Sequence, residues 1–363
     1  MIGRLFRRIR ANRERALLPI KQGILGDARM VGVDVGSAEG MQPHWRAYVG
    51  VADLLLFEPH AESLERLRAQ YASSPHADKL QLMPVALSGC GGERSLYMLN
   101  CPTGSSLLPV ERNSEFADPE DSYIYPVHET QIQTRTLADV MDSMSMAGPD
   151  IIKLDVQGAE LEILQGMGEV RRRSLLLAEA EVNIGGGITR NFSLYKGSPT
   201  WAQLEEQLVS DGMRLLDISV ARAYRARGGD DDWYQREIFD VYRNSPTLSA
   251  HAWEADVVYV RDWRDLVKNG DTAAIRKLVL ALCGYRFFGE AYFLVEKAEQ
   301  VGVLDADAAK VVKDAVAAWH RVGRRAWHGR GGVWRRVRQV LRLTGMSQLL
   351  RWKQYMWFDY PSG

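Results

Sequence analysis

The feature that most constrains this chain is a succession of short apolar runs, rich in valine and leucine, separated by segments of helical periodicity. MVGVDV (30–35), DLLLFEP (53–59), LQLMPVAL (80–87), DIIKLDV (150–156) and SLLLAEAEV (174–182) have the length and near-continuous hydrophobicity of buried parallel strands. Between them, HAESLERLRAQYA (60–72), TLADVMDSM (136–144), AELEILQGM (159–167) and TWAQLEEQLVSDG (200–212) set apolar residues on one face of a helix. Alternation of this kind predicts an α/β domain, a mostly parallel sheet with helices on both faces. MRLLDISVARAYR (213–225) and EADVVYVR (254–261) read as two last strands, and ERSLYML (93–99) as an extra strand or hairpin arm. A helix is expected soon after the glycine loop GSAEG, ending before Tyr48, and a long loop over the site from Asn100 to Thr130. Gly185 to Gly187 opens another loop.

After Arg261 the pattern is helical only. The expected organisation is a basic N-terminal helix within 1–27, the α/β domain over 28–262, and a helical C-terminal region over 263–363 that ends in a basic amphipathic tail. Lysine plus arginine equals aspartate plus glutamate, 46 each, so the whole molecule is not built to attract nucleic acid. Its three cysteines are too few and too scattered for a disulfide framework or a zinc site, which fits a reducing cytoplasm. No apolar run approaches the ~18 residues of a membrane helix, and the charged start lacks the apolar stretch of a secretory signal.

Asp34-Val35-Gly36-Ser37-Ala38-Glu39-Gly40 falls where the first strand ends, the place where open α/β sheets bind ligands. Gly36 permits a tight turn and Gly40 a close approach of backbone to ligand. The spacing is G-x-x-x-G, not the G-x-G-x-x-G of dinucleotide sites, and no G-K-[ST] follows. Asp34 would repel a pyrophosphate and favour a cofactor bearing an amino group and a sulfonium. Glu58, about twenty residues on, stands where an acid accepts ribose hydroxyls, and Pro59 stops its strand.

The stretch IIKLDVQGAELEILQGM (151–167) resembles the FkbM-type methyltransferases, in which a strand ending I-K-x-D-V-[EQ]-G precedes a helix reading x-E-x-x-x-L-x-G. Lys153, Asp155, Val156, Gln157, Gly158, Glu160, Leu164 and Gly166 carry the match. DVGSAEG (34–40), FEP (57–59), PVALSG (84–89), S-S-L-L (105–108) and TLADV (136–140) follow the same family in order, so the resemblance covers roughly 28–262. It implies a Rossmann-like seven-stranded methyltransferase sheet with its last strand antiparallel, S-adenosylmethionine as cofactor, and O-methyl transfer to sugars or other small metabolites. It also implies Asp34, Gly36, Ser37 and Gly40 around the methionine part, Glu58 on the ribose, Ala86, Leu87 and Ser88 near the adenine, and Asp155 near the transferring methyl. Two departures stand out. Ser37-Ala38-Glu39 replaces small or amide residues, with Glu39 expected to face solvent, and Gln157 stands where glutamate is common.

An alcohol acceptor must lose a proton, which calls for a base. Asp155 is the first candidate, Glu181 the second and His128, in the expected loop, the third. Lys153 either pairs with Asp155 or orients the acceptor. The bland alternatives are that Asp155 positions the cofactor or caps the following helix, that Glu181 pairs with an arginine, and that His128 is a surface residue. No metal is expected, although Asp155, Glu179, Glu181 and Asn183 are of the oxygen type that suits magnesium. The run from Arg324 to Phe358 mixes arginine with Trp327, Trp334, Trp352 and Trp357. Its tryptophans pack while its arginines are solvated, or it lies on an anionic membrane surface, the inner one for a cytoplasmic protein, or it binds an acidic polymer or a partner, with no RNA or DNA module signature to favour nucleic acid. The expected partner is a small-molecule or glycan acceptor. A catalytically silent cofactor-binding scaffold, and more remotely a nicotinamide-dependent dehydrogenase, remain as rivals.

Overall fold

A computed structural model describes residues 2–72, 74, 76–100, 102–111, 126–184, 186–187, 190–191, 193, 195–223 and 251–322. The chain divides into two compact units, one of residues 29–41 and 52–268, the other of 1–28, 42–51 and 269–363. The simple succession of a terminal helix, an α/β domain and a helical extension is thus redistributed. The first helix and part of the β1–β2 connection group with the C-terminal helices, and the larger unit runs through Lys268.

Helix α1 (Ile2–Leu25) is followed by β1 (Met30–Val35) and β2 (Ala52–Phe57), then α2 (Ala61–Tyr71) and β3 (Leu80–Met83). Next come β4 (Ala86–Leu87), β5 (Gly92–Leu99), β6 (Pro126–Arg135), α3 (Leu137–Ser143) and β7 (Ile151–Leu154). Two short helices, α4 (Glu160–Gly166) and α5 (Glu169–Ser174), lead into β8 (Leu177–Asn183). The two-residue strands β9 (Gly186–Gly187) and β10 (Arg190–Asn191) precede α6 (Trp201–Ser210), β11 (Met213–Ala223), β12 (His251–Arg261) and α7 (Trp263–Lys268). Helices α8 (Thr272–Gly284) and α9 (Phe288–Gln300) follow, and residues 306–322 are helical.

The larger unit is built on a seven-stranded sheet of order β11-β12-β8-β7-β1-β2-β3. The pairs β1–β2, β2–β3, β1–β7 and β7–β8 are parallel, whereas β12 is antiparallel to both β8 and β11. The expected α/β class, the seven strands and the reversed last strand all hold. One face buries Val33, Val35, Leu55, Phe57, Ile152, Leu154, Ala178 and Ala180 against Leu137, Val140 and Met141 of α3, Ile163 and Leu164 of α4, and Leu204 and Leu208 of α6. Strand alternation sends the intervening residues, Asp34, Lys153, Glu179 and Glu181 among them, to the opposite face.

Three sequence expectations are corrected. LQLMPVAL is two strands. Pro84 has no N–H to extend the ladder, so β3 stays in the main sheet while β4 joins a second, three-stranded sheet of order β4-β6-β5. No α-helix joins β1 to β2. Gly40 and Gly50 hold φ of 85° and Pro43 lacks a donor, so the space between supports only a 3-10 turn, Trp45–Tyr48. The stretch from Asn100 to Thr130 is not all loop, because β6 begins at Pro126. The basic tail and residues 112–125 lie outside the described residues.

In the smaller unit α1 continues through Pro19 to Leu25. The Gly26 amide closes it on the Gln22 carbonyl at 2.8 Å with Gly26 at φ 59°, and Arg276 Nη1 donates to the Ile24 carbonyl at 3.0 Å. Tyr48 Oη donates to the Ala281 carbonyl at 2.9 Å and Trp45 Nε1 to Tyr285 Oη at 3.0 Å, so the 3-10 turn is held on α8. Both ring systems are fully buried.

Candidate functional site

The order of the sheet reverses between β1 and β7: β2 and β3 lie to one side, β8 and β12 to the other. The crevice beyond the carboxyl ends of strands at such a switch point is where α/β sheets bind ligands. Both flanks of this crevice are loops of unusual backbone. Gly36 turns at φ 84° directly after β1, and a Cβ there would stand 1.8 Å from the Asp155 carbonyl oxygen beyond β7. Only glycine lets the two strand ends meet so closely. The Gly36 and Ser37 amides both donate to the Phe57 carbonyl, at 3.1 and 3.2 Å, Ser37 Oγ donates to the Asp34 carbonyl at 2.9 Å, and the Gly40 amide closes the turn on the Ser37 carbonyl at 2.7 Å. Gly40, at φ 85°, leaves room for Tyr71, whose hydroxyl accepts the Met41 amide at 2.8 Å. Glu39 is exposed, as expected.

Strand register lines up three ionisable residues in one row. Asp34 of β1 is paired with Lys153 of β7, and Lys153 with Glu179 of β8. All three are buried. The Lys153 ammonium donates to Asp155 Oδ2 at 3.0 Å and lies 3.8 Å from Asp34 Oδ1. Burial works against that ammonium, but Asp155, Asp34 and Glu179 outweigh it and hold its pKa above the ordinary lysine value. Asp34 is the unsatisfied member. Neither of its carboxylate oxygens has a hydrogen-bond partner, and burial raises its pKa to about 6 against the pull of Lys153.

Asp155 and Glu181 are brought together, and the link is Gln157. Its Nε2 donates to Asp155 Oδ1 at 3.1 Å and also contacts Glu181 Oε2. Gln157 has φ 59°, uncommon for a residue with a side chain. Its carbonyl accepts from Ser106 Oγ at 2.7 Å, and Tyr195 Oη lies 2.8 Å from its Oε1 and 2.6 Å from the Gly104 carbonyl. The Glu181 pKa is raised well above the ordinary carboxylate value, first by burial and then by Asp155, Glu254, Glu160 and Asp256. The Tyr195 pKa is raised by burial and then by Glu181, Glu254, Glu160 and Asp155.

Asp155 does not cap α4. That task falls to Glu160, which folds back to accept the amides of Val156 at 3.0 Å and of Gly158 at 3.1 and 3.0 Å. Burial nonetheless pushes the Glu160 pKa up to about 7. Glu181 contacts Gln157, and no arginine pairs with it among the described residues. His128 is an exposed residue of β6 opposite Met98, with no hydrogen bond to Asp155 or Glu181 among the described residues, and so leaves the set of candidate bases.

Glu58 is buried at the end of β2, and its Oε1 accepts the His60 amide at 2.7 Å. Burial raises its pKa, opposed by that amide and by Arg66. Ala86 and Leu87 are buried in β4, and Ser88 is committed to Thr134, with their hydroxyls 2.7 Å apart. Among the described residues no group of three or more His, Cys, Asp or Glu is arranged to hold a metal ion, and no helix is long and apolar enough to cross a membrane.

Sequence reasoning missed three participants. Tyr195 follows a stretch with no readable periodicity, so nothing marked it. Ser106 lay within the S-S-L-L run, where the run was visible but not its contact. Glu160 matched the motif, but its role as a cap for its own loop is a matter of backbone geometry.

The strand order and the glycine turn at the switch point together define a Rossmann-like α/β fold of the methyltransferase kind. More particularly, residues 34–185 match the family model described as "Methyltransferase FkbM domain". Methyltransferase sdnD of Sordaria araneosa is 27% identical over 135 residues, which cover 32% of this chain and 52% of that protein. The chain thus spans about half the length of the curated relative it matches. A crystal structure of methyltransferase FkbM from Methylobacillus flagellatus KT aligns with a TM-score of 0.35 at 13% identity, covering 64% of this chain and 43% of that one. The glycopeptide N-methyltransferase MtfA complexed with sinefungin aligns at 0.27 and 10% identity, covering 64% and 81%.

Proposed function

We propose that this protein transfers a methyl group from S-adenosylmethionine to a hydroxyl oxygen of a carbohydrate, glycolipid or related small molecule. The observation that carries the cofactor reading is the Asp34 carboxylate, closed to solvent and without a hydrogen-bond donor, beside a glycine turn at the switch point. The carboxylates of Asp155, Asp34 and Glu179 act together on the Lys153 ammonium. Such a field favours a cationic ligand and disfavours a pyrophosphate.

S-adenosylmethionine, when bound, supplies a methyl group on a sulfonium centre. Asp34 and the Gly36–Gly40 turn would hold its amino-acid part, Glu58 its ribose, and Ala86 and Leu87 would border its adenine. The protein's further work is alignment and exclusion of water, together with removal of the acceptor proton. Asp155 and Glu181 are the groups for that proton. The Lys153 ammonium donates to Asp155, and burial raises the proton affinity of Glu181 above that of an ordinary carboxylate.

Calorimetric titration with S-adenosylmethionine and with NADH, on the intact protein and on Glu58→Ala, tests this reading. Saturable binding of S-adenosylmethionine alone, weakened at least about tenfold by loss of a charged hydrogen-bond acceptor, is the expected result. Binding of NADH instead, or of neither, would overturn it.

A further inference from the structure

We propose that Gln157 is a positioning residue that holds Asp155 and Glu181 together as a two-carboxylate acceptor for the substrate proton, with Tyr195 orienting its amide. The inference rests on the reading of Asp155 and Glu181 as the proton-accepting groups. Two carboxylates this close repel each other unless a donor stands between them. The Gln157 side chain has two N–H protons on Nε2, which contacts one carboxylate with each: Asp155 Oδ1 at 3.1 Å and Glu181 Oε2. The reverse orientation would aim its carbonyl oxygen at both carboxylates, so the neighbours dictate which way the amide faces. On the other side Tyr195 Oη is 2.8 Å from Oε1 and 2.6 Å from the Gly104 carbonyl, two acceptors that share its one proton. The backbone is pinned as well, by Ser106 on the Gln157 carbonyl at 2.7 Å. These anchors account for a residue held at φ 59° between Val156 and Gly158.

A glutamate at this position would have two acceptor oxygens and no proton to give. It would place a third carboxylate between Asp155 and Glu181 and forfeit both contacts. The acids around Glu181 are already numerous: Asp155 from the end of β7, Glu160 from α4, and Glu254 and Asp256 from β12. The countercharge is Lys153, bound to Asp155. Gln157 is therefore the neutral member that donates to both carboxylates without adding a further charge between them. As the acceptor oxygen bonds to the methyl carbon, the carbon–sulfur bond breaks with its electron pair left on sulfur, and the acceptor proton passes to a carboxylate of the pair.

The test is an infrared pH titration of the carboxyl groups of the full chain, with the Glu181 band assigned by its loss in Glu181→Gln. Calorimetric binding of S-adenosylmethionine is measured alongside. Gln157→Met keeps the length and removes the donors, Gln157→Glu adds a charge, and Tyr195→Phe loosens the amide with little risk to folding. We expect the Glu181 titration to move to higher pH by about one unit in Gln157→Met, a tenfold rise in proton affinity. A larger rise is expected in Gln157→Glu and a smaller one in Tyr195→Phe, with cofactor affinity changed less than threefold in all. A Glu181 titration that stays in place in Tyr195→Phe and in whichever Gln157 variant folds overturns the inference. Failure of the unsubstituted protein to bind S-adenosylmethionine overturns the cofactor reading instead, and the infrared result still stands or falls by itself.

Discussion

Replacing Gly36 by alanine separates two costs that glycine avoids at this turn. The first is conformational: φ is 84°, and a side chain in that region costs about 1–2 kcal/mol. The second is contact. The new Cβ would sit 1.8 Å from the Asp155 carbonyl oxygen and 2.8 Å from its carbon, and separations below 3.0 Å are essentially never seen for real Cβ atoms. The obstacle is backbone, so the β1 turn and the β7 end must part by roughly 1 Å or more, with an overpacking cost of about 1–3 kcal/mol. Gly197 is a natural control. Its φ is 80°, and a Cβ there meets nothing within 4 Å. Urea unfolding should show Gly197→Ala destabilised by about 1–2 kcal/mol and Gly36→Ala by about 2–5 kcal/mol. Methyl-transfer rate should fall on the order of 100-fold in Gly36→Ala alone, because a displacement near 1 Å spoils alignment. Equal destabilisation of the two variants would refute the claim that β1 and β7 are locked together through this glycine.

Glu160 should impose a pH dependence on stability. Its folded pKa of about 7 lies above the ordinary 4.5, so its contribution is full below pH 4.5 and is lost as pH rises toward 7. The total is on the order of 3 kcal/mol for this fully buried group, and Glu160→Gln should flatten the unfolding free energy measured across that window. A slope unchanged in the variant would assign the dependence elsewhere. Arg261 donates to three backbone carbonyls, those of Leu175, Asp211 and Arg172. Arg261→Met should therefore lower stability by about 3 kcal/mol or more in denaturant titration, since it leaves buried acceptors without donors. A loss under about 1 kcal/mol would show that water replaces the guanidinium.

Much of the fold was legible because buried parallel strands are recorded as apolar runs and surface helices as periodic ones. MVGVDV, DIIKLDV and EADVVYVR became β1, β7 and β12 with ends displaced by a few residues at most. Errors arose where local signals met chain geometry. Pro84 divided one apolar run between two sheets, and a glycine–proline spacing left no length for a helix after β1. At the site, Asp34, Gly36, Glu58, Lys153, Asp155 and Glu181 could be named from motif and position, because strand ends and glycine turns are local features. Which groups meet is not local. Strand order and register decide that Asp34, Lys153 and Glu179 form one row, although they come from segments far apart in the chain. The return of the chain at Tyr195 and the back-folding of Glu160 decide that Gln157 is an anchored bridge and not merely a missing carboxylate. The sequence by itself determined the elements, the turn and the kinds of charge at the strand ends, all of which follow from backbone and side-chain preferences over a few residues. Only the tertiary structure decided which charges are buried together, since their energies depend on distance and desolvation, and both are set by contacts across the sheet.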